Sequence, residues 1–139
     1  MIWIELILPF PPTINDYYGK NGHVSYVKPK GKKFRKECRE SIMEQLPWGS
    51  WKPLEERLKV TIYLHMPDRR RRDLDNYKKA LFDACSKDEK DDFKGLWVDD
   101  SQIDQDSTYR GEIFKGGLVR MVITDAGSIV CLPDYAKAK

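Results

Sequence analysis

The run RRRRDLDN, Arg69 to Asn76, sets four consecutive arginines against two aspartates separated by a single leucine. Carboxylates at i and i+2 diverge by about 200° on a regular helix but share one face of an extended segment, so Asp73 and Asp75 converge only where the chain is not helical. Two oxygen ligands in a loop suit a hard divalent cation, which keeps several waters and binds substrate phosphates beside one or two carboxylates. A third carboxylate is available from Asp99 or Asp100, the acidic pair that closes "LWVDD". Lys79 follows Asp75 by four residues. On a helix starting there its ammonium lies over the same face, where it could balance the extra charge of a phosphoryl transition state. Lys78 points about 100° away and reads as solvated or as a contact to backbone phosphate. The plainer account makes Asp75 a helix cap, Asp73 a turn residue and Lys79 one half of an i,i+4 ion pair.

The surrounding pattern says what must hold these groups. Ile2 to Leu8 alternates as a first strand and stops at "PFPPTIN", whose prolines force an extended or turned loop. A polar loop is expected from Tyr17 to about Lys30. Phe34, Cys38, Ile42 and Leu46 then recur at fourfold spacing and predict a helix over Gly31 to Leu46, with Lys32, Lys33, Arg35, Lys36 and Arg39 on its other face. "LPWGSWKPLEE" is a loop whose tryptophans cap the core. Leu58, Val60, Ile62 and Leu64 alternate in a half-buried strand that ends at Pro67, which places the arginine and aspartate run just past a strand end. Tyr77, Ala80, Leu81, Ala84 and Cys85 form the buried stripe of a helix from about Asn76, with Asp75 as its N-cap. "LWVDDSQI" reads as a short strand. Strands near Thr108 to Phe114 and Leu118 to Thr124 are expected to pair across "KGG" as a hairpin. Four or five strands with two main helices give an α/β or α+β class, a small mixed sheet in one domain over residues 1–139 with a frayed tail from Ala136 to Lys139.

Composition narrows the function classes. A chain of 139 residues, 40% hydrophobic and 12% aromatic, is globular in character. Its apolar start is broken by Glu5 and Pro9, too short for a membrane span and lacking the basic opening of a secretory signal. Cys38, Cys85 and Cys131 show no CxxC spacing, and His23 and His65 have no partners at ligand spacing, so neither a disulfide framework nor a zinc site is expected, and all three thiols read as inert core residues of a cytoplasmic protein. Net charge is only +3, but Lys20 to Arg39 holds eight Lys or Arg against one acid, and Asp83 to Asp106 nine Asp or Glu against three lysines. A basic block for a phosphate backbone beside an acidic block for metal would give this layout, as would two ordinary solvated faces.

"HMPDRRRRDLDNYKKALFDA", followed by "GLWVDDSQI", resembles the RusA family of Holliday junction resolvases, and "LPFPPTINDYY" resembles that family's opening strand and loop. The resemblance runs from Ile2 to about Thr124. It implies metal-binding aspartates at Asp73, Asp75 and Asp100, an essential lysine at Lys79, Mg²⁺ as cofactor with Mn²⁺ able to substitute, and a homodimer that makes two symmetrical nicks in a four-way DNA junction during recombination and repair. DNA contacts are then expected from Lys20, Lys28, Lys32, Lys33, Arg35, Lys36 and Arg69, Arg70, Arg71 and Arg72, with no membrane involvement and with a phage or prophage source compatible with the family. Asn15, Tyr17 and Tyr18 are further candidates to face DNA, or else to pack inward. The connection "SKDEKDDFKG" is longer and more acidic than the resemblance leads one to expect. The rival readings are a Mg²⁺ nuclease for other branched or single-stranded DNA, and a non-catalytic nucleic-acid-binding module.

Overall fold

Leu58, Val60, Ile62 and Leu64 alternate along β4 (Leu58–His65), and all four are fully buried. In this computed structural model, which describes residues 1–137, β4 lies inside a four-stranded sheet with β1 (Trp3–Pro9), β5 (Ile103–Arg110) and β6 (Leu118–Asp125), in the order β1-β6-β4-β5. β6 runs antiparallel to both β1 and β4, whereas β5 runs parallel to β4, so the sheet is mixed. One face carries Leu6, Leu8, Val60, Ile62, Val119, Met121 and Ile123 into the core. α2 (Pro29–Gln45) supplies Phe34, Cys38 and Ile42 to the same core, and α3 (Lys78–Cys85) supplies Ala80, Leu81, Ala84 and Cys85. The α+β class and both helical stripes read from the sequence are present.

The expected hairpin is not. β5 and β6 do not pair; the chain leaves the sheet at Arg110, turns through two glycines at positive φ and re-enters between β1 and β4. β6 carries the apolar side chains and so takes an inner position, while β5, with Asp104 and Asp106 exposed, takes the edge, where charge is tolerated. "LWVDDSQI" is not a strand either. Trp97 makes only single bridges, to Leu54 and Ser86, and the chain then winds into a 3-10 turn at Asp100–Gln102 capped by Asp99, because a local carboxylate competes with ladder hydrogen bonding. At the other edge, Gln45 accepts from the Ile7 amide and donates to the Ile7 carbonyl at 2.8 and 2.7 Å, which occupies the Ile7 pairing position of β1.

The segment expected as a polar loop contains α1 (Ile14–Tyr17) and a separate hairpin, β2 (Tyr18–Asn21) with β3 (Val24–Val27). Gly22 and His23 form its two-residue turn, with Gly22 at φ 65° in the first loop position, where a tight hairpin favours glycine. Gly31 lets α2 approach it: a Cβ there would stand 2.9 Å from the Tyr17 carbonyl oxygen. Ala136 and Lys137 end the short α4 (Asp134–Lys137); the rest of the expected tail, Ala138 and Lys139, lies outside the described residues.

Candidate active site

β4 delivers the arginine and aspartate run to one end of the sheet, and Asp68 organises it. Its carboxylate accepts from both terminal nitrogens of Arg72, the longer contact at 3.2 Å, and from the Arg70 amide at 2.9 Å. The bond from Arg72, then the Arg70 amide, holds the Asp68 carboxyl down at about 2. Arg110 at the end of β5 donates to the Arg72 carbonyl at 2.8 Å, tying the loop to the sheet. Arg72 is thus committed to Asp68, whereas Arg69, Arg70 and Arg71 are exposed.

Asp73 is extended, at φ −90° and ψ 135°, and enters a 3-10 turn at Leu74–Asn76 before α3 begins. Asp75 therefore lies inside that turn and does not cap the helix; Tyr77 holds the cap position, with no side-chain capping bond. Tyr77 is buried and presses on Phe10 at 5.1 Å, which fixes the entry to α3, and burial pushes its phenol up. Both Asp73 and Asp75 are exposed, and neither carboxylate hydrogen-bonds or ion-pairs with a described residue, although four arginines precede them.

Lys79, exposed on the first turn of α3, lines a cleft of about 590 Å³ with Ile14 and Asn15 of α1 and Tyr18, Gly19, Lys20 and Ser25 of the hairpin. The expected catalytic lysine and the expected DNA-binding Lys20 therefore share one opening. Lys78, expected as solvated or phosphate-bound, instead reaches Asp106 of β5 at 3.2 Å, because the parallel strand runs beside the turn before α3. Tyr17 is wholly buried, and Tyr18 packs edge-on against it at 4.6 Å.

The adjacent aspartates beyond Trp97 do different work. Asp99 accepts from the Ser101 amide at 3.0 Å and its own amide donates to Gln102, a capping box on the 3-10 turn. Asp100 accepts through Oδ1 from the indole Nε1 of Trp97 at 2.6 Å, with the Ser86 hydroxyl at 2.7 Å. Ser86 directly follows α3, so Asp100 stands at the far end of the helix whose near end bears Asp73 and Asp75. The eight residues of α3 rise about 12 Å. Among the described residues no three His, Cys, Asp or Glu side chains are grouped to hold a metal ion. A closed three-carboxylate cage is therefore not preassembled. Exposed, unpaired carboxylates do fit a hard cation that keeps its waters and takes its remaining oxygens from a substrate phosphate.

α2 departs from expectation on its outer face. Arg39 is buried, not displayed: it donates to the Ala84 carbonyl at 3.1 Å and to Asp88 at 2.9 Å, and lies over the Phe93 ring at 4.8 Å. Arg35 reaches Asp83 at 3.2 Å and Asp88 at 3.4 Å and donates to the Tyr17 hydroxyl, which itself donates to Asp83. Burial and that bond to Asp83 push the Tyr17 phenol far above its usual range. The acidic connection 86–95 is thus drawn onto two guanidiniums of the basic helix, leaving Lys32, Lys33 and Lys36 exposed. Lys28 ties back to the Asn15 carbonyl at 2.8 Å. Cys38 and Cys85 are buried, but Cys131 is exposed, outside the core to which the sequence assigned it, because the segment after β6 packs on nothing large. Trp48 stacks with both Trp51 and Phe93, over the core as expected.

A mixed sheet delivering an arginine-flanked aspartate pair, with a lysine cleft alongside, is an architecture for phosphodiester chemistry. Residues 9–124 match the family model described as Endodeoxyribonuclease RusA, and the chain belongs to that family. It is 37% identical over 125 residues to the crossover junction endodeoxyribonuclease RusA of Escherichia coli (strain K12), an alignment covering 89% of this chain and 96% of that one. It is 36% identical to the protein of that description in Enterobacteria phage 82, over 89% of this chain and 96% of the relative, and 34% identical to that of Enterobacteria phage HK97, over 90% and 97%. No helix among the described residues is long and apolar enough to cross a membrane.

Proposed function

We propose that this protein is a structure-selective endodeoxyribonuclease that resolves four-way DNA junctions by paired symmetrical nicks, acting as a homodimer in recombination and repair. The observation that carries the reading is the aspartate pair Asp73 and Asp75, exposed and unpaired beside four arginines and next to the cleft that Lys79 shares with Lys20, within the stretch matched to the RusA family. Asp73 and Asp75 are the neighbouring carboxylates that would hold Mg²⁺, or Mn²⁺ in its place, with Asp100, at the other end of α3, as a further ligand carried separately within the protomer, and the ion would supply Lewis-acid stabilisation of the phosphodiester transition state. Lys79 balances charge developing on the scissile phosphate, and Lys20 faces it from the hairpin. Arg69, Arg70 and Arg71, with Lys32, Lys33 and Lys36, hold backbone phosphates and set the register of the junction. Two active sites related by a dimer axis suit a substrate with two-fold symmetry. The phage relatives support a phage or prophage setting.

The test compares labelled four-way junctions, flaps and plain duplex, with Mg²⁺ and with EDTA. Symmetrical nicking confined to junctions and abolished by EDTA is the expected outcome. Asp75→Asn should bind junctions with native affinity and fail to nick them. Equal cutting of flaps would replace junction resolution with a broader nuclease role, and an active Asp75→Asn would remove the aspartate from the machinery. Sedimentation at micromolar concentration checks the dimer.

A further inference from the structure

Asp100 is the only one of the three candidate carboxylates gripped by other side chains, and the grip is confined to one oxygen. Trp97, with no exposed surface, donates its indole N–H to Oδ1 at 2.6 Å. The Ser86 hydroxyl stands 2.7 Å from the same Oδ1 and 2.6 Å from the Phe82 carbonyl oxygen one turn back in α3. A hydroxyl carries one proton, so Ser86 donates to one of these acceptors at a time, whereas the indole has no second acceptor among the described residues. The donors are themselves fixed. The Leu96 amide bonds the Cys85 carbonyl at 2.9 Å, Leu54 exchanges backbone bonds with Leu96 and Val98, and the indole packs edge-on against Phe82 at 5.8 Å. Oδ2 of Asp100 has no partner among the described residues and lies on an exposed side chain.

We propose that Trp97 and Ser86 are positioning residues for Asp100, holding Oδ1 so that Oδ2 alone is presented, and that Asp100 therefore binds a divalent cation through a single oxygen. This rests on Asp100 being one of the catalytic carboxylates. It deepens that reading in one respect: the tryptophan ahead of the aspartate pair acts as a donor that aims the second aspartate, while Asp99 is occupied with the turn. Partners of this kind typically change metal affinity or activity by about 10–100-fold when removed. Trp97, the constant donor, should matter more than Ser86, the divided one.

The experiment uses the full chain and two readouts. In single-turnover nicking of a four-way junction, Ser86→Ala should raise the Mg²⁺ midpoint several-fold and Trp97→Phe by about ten-fold or more, with junction affinity in EDTA unchanged and Ser86→Thr restoring the native midpoint. Independently of activity, Mn²⁺ titrated into ¹⁵N-labelled protein should broaden the Trp97 indole resonance before those of Trp3, Trp48 and Trp51, and Asp100→Asn should abolish that selectivity. If Asp100→Asn nicks normally and no indole is selectively broadened, the catalytic reading of Asp100 fails and the positioning proposal falls with it. If Asp100→Asn is inactive but both Ser86→Ala and Trp97→Phe keep the native Mg²⁺ midpoint, the positioning proposal alone is overturned. Should Trp97→Phe not fold, Ser86→Ala and the Mn²⁺ broadening still decide it.

Discussion

Arg39→Met is the perturbation that most directly tests how the acidic connection is held. The substitution keeps the aliphatic bulk over Phe93 and removes the guanidinium. Four bonds are lost: to Asp88 at 2.9 Å, to Asp91 at 3.3 Å, and to the Ala84 and Asp83 carbonyls at 3.1 and 3.3 Å. The Asp91 contact counts for little, because that side chain is 61% exposed and an exposed pair contributes between zero and about 1 kcal/mol. Asp88 is different, with its side chain only 18% exposed and Arg35 left as its one remaining cation at 3.4 Å. A hydrogen bond to such a charge contributes about 1.5–3 kcal/mol net, and two carbonyls losing a donor add about 1 kcal/mol more. The expected destabilisation is therefore about 3 kcal/mol, or a fall in Tm of about 10 °C for a domain of this size.

The assay is urea denaturation of Arg39→Met, Asp88→Asn and the double variant, so that the coupling between the two side chains is read from the cycle. The pH dependence gives a second check. Burial pushes the Asp88 carboxyl up, but the bond from Arg39, the bond from the Asp91 amide and the charges of Arg39 and Arg35 together outweigh it and leave the folded value below the usual 3.8. A depressed carboxyl stabilises the fold above its unfolded value and loses that contribution as pH falls through the folded one. The gap between native protein and Arg39→Met should thus be complete at neutral pH and narrow below about pH 3.8. A loss under about 1 kcal/mol, or a gap unchanged through acid pH, would refute the ledger built on Asp88.

Three other outcomes are expected. The Asp68 carboxyl should titrate near 2 by carbon NMR, so that its bond to Arg72 is lost only as pH falls from 3.8 through that value, and Arg72→Ala should return the midpoint toward 3.8. Lys36→Ala should reduce the slope of log junction affinity against log salt by about 1, while Arg35→Ala should lower stability and leave the slope near its native value, since Arg35 is paired with Asp83 and Asp88. In the native state a thiol reagent should label Cys131 alone, with Cys38 and Cys85 reacting only on unfolding, and labelling of all three at one rate would contradict their burial.

What the sequence made legible follows the range of the interactions. The stripes Phe34–Cys38–Ile42 and Tyr77–Ala80–Leu81–Ala84–Cys85, and the alternation in β4, depend on local period and buried area, and each appears where the spacing put it. The hairpin turning at Gly22-His23 carried a local signal in its glycine as well, but its strands are short and exposed, without the apolar alternation that announces a strand. Sheet order was not legible, because a glycine-rich turn fixes only that the chain reverses, and whether β6 pairs back on β5 or inserts between β1 and β4 is decided by burial contributed from distant segments. The start of α3 was displaced for a related reason: Tyr77, anchored on Phe10 from the first loop, sets the helix entry more strongly than the capping preference of Asp75.

The two charge blocks carry the same distinction into function. Read along the chain, each invites a ligand of opposite sign from outside the protein. In the fold they first meet each other: Arg35 and Arg39 take Asp83, Asp88 and Asp91, Lys78 takes Asp106 and Arg57 takes Asp104. Such internal pairing removes those groups from the ligand-binding surface, because a guanidinium already bonded to a buried carboxylate would have to give up that bond to reach a phosphate. Among the described residues without an ion pair, those that bear on the proposed site are Lys32 and Lys36 on α2, Arg69 and Arg71 before Asp73, Lys79 and Lys20 around their cleft, and the carboxylates of Asp73 and Asp75. Lys33 joins that set in practice, since its contact to Glu37 is 4.0 Å long and between exposed side chains. Of these, Arg69, Arg71, Asp73, Asp75 and Lys79 lie between the end of β4 and the first turn of α3, where free charges of both signs are what a phosphodiester and its cation would need.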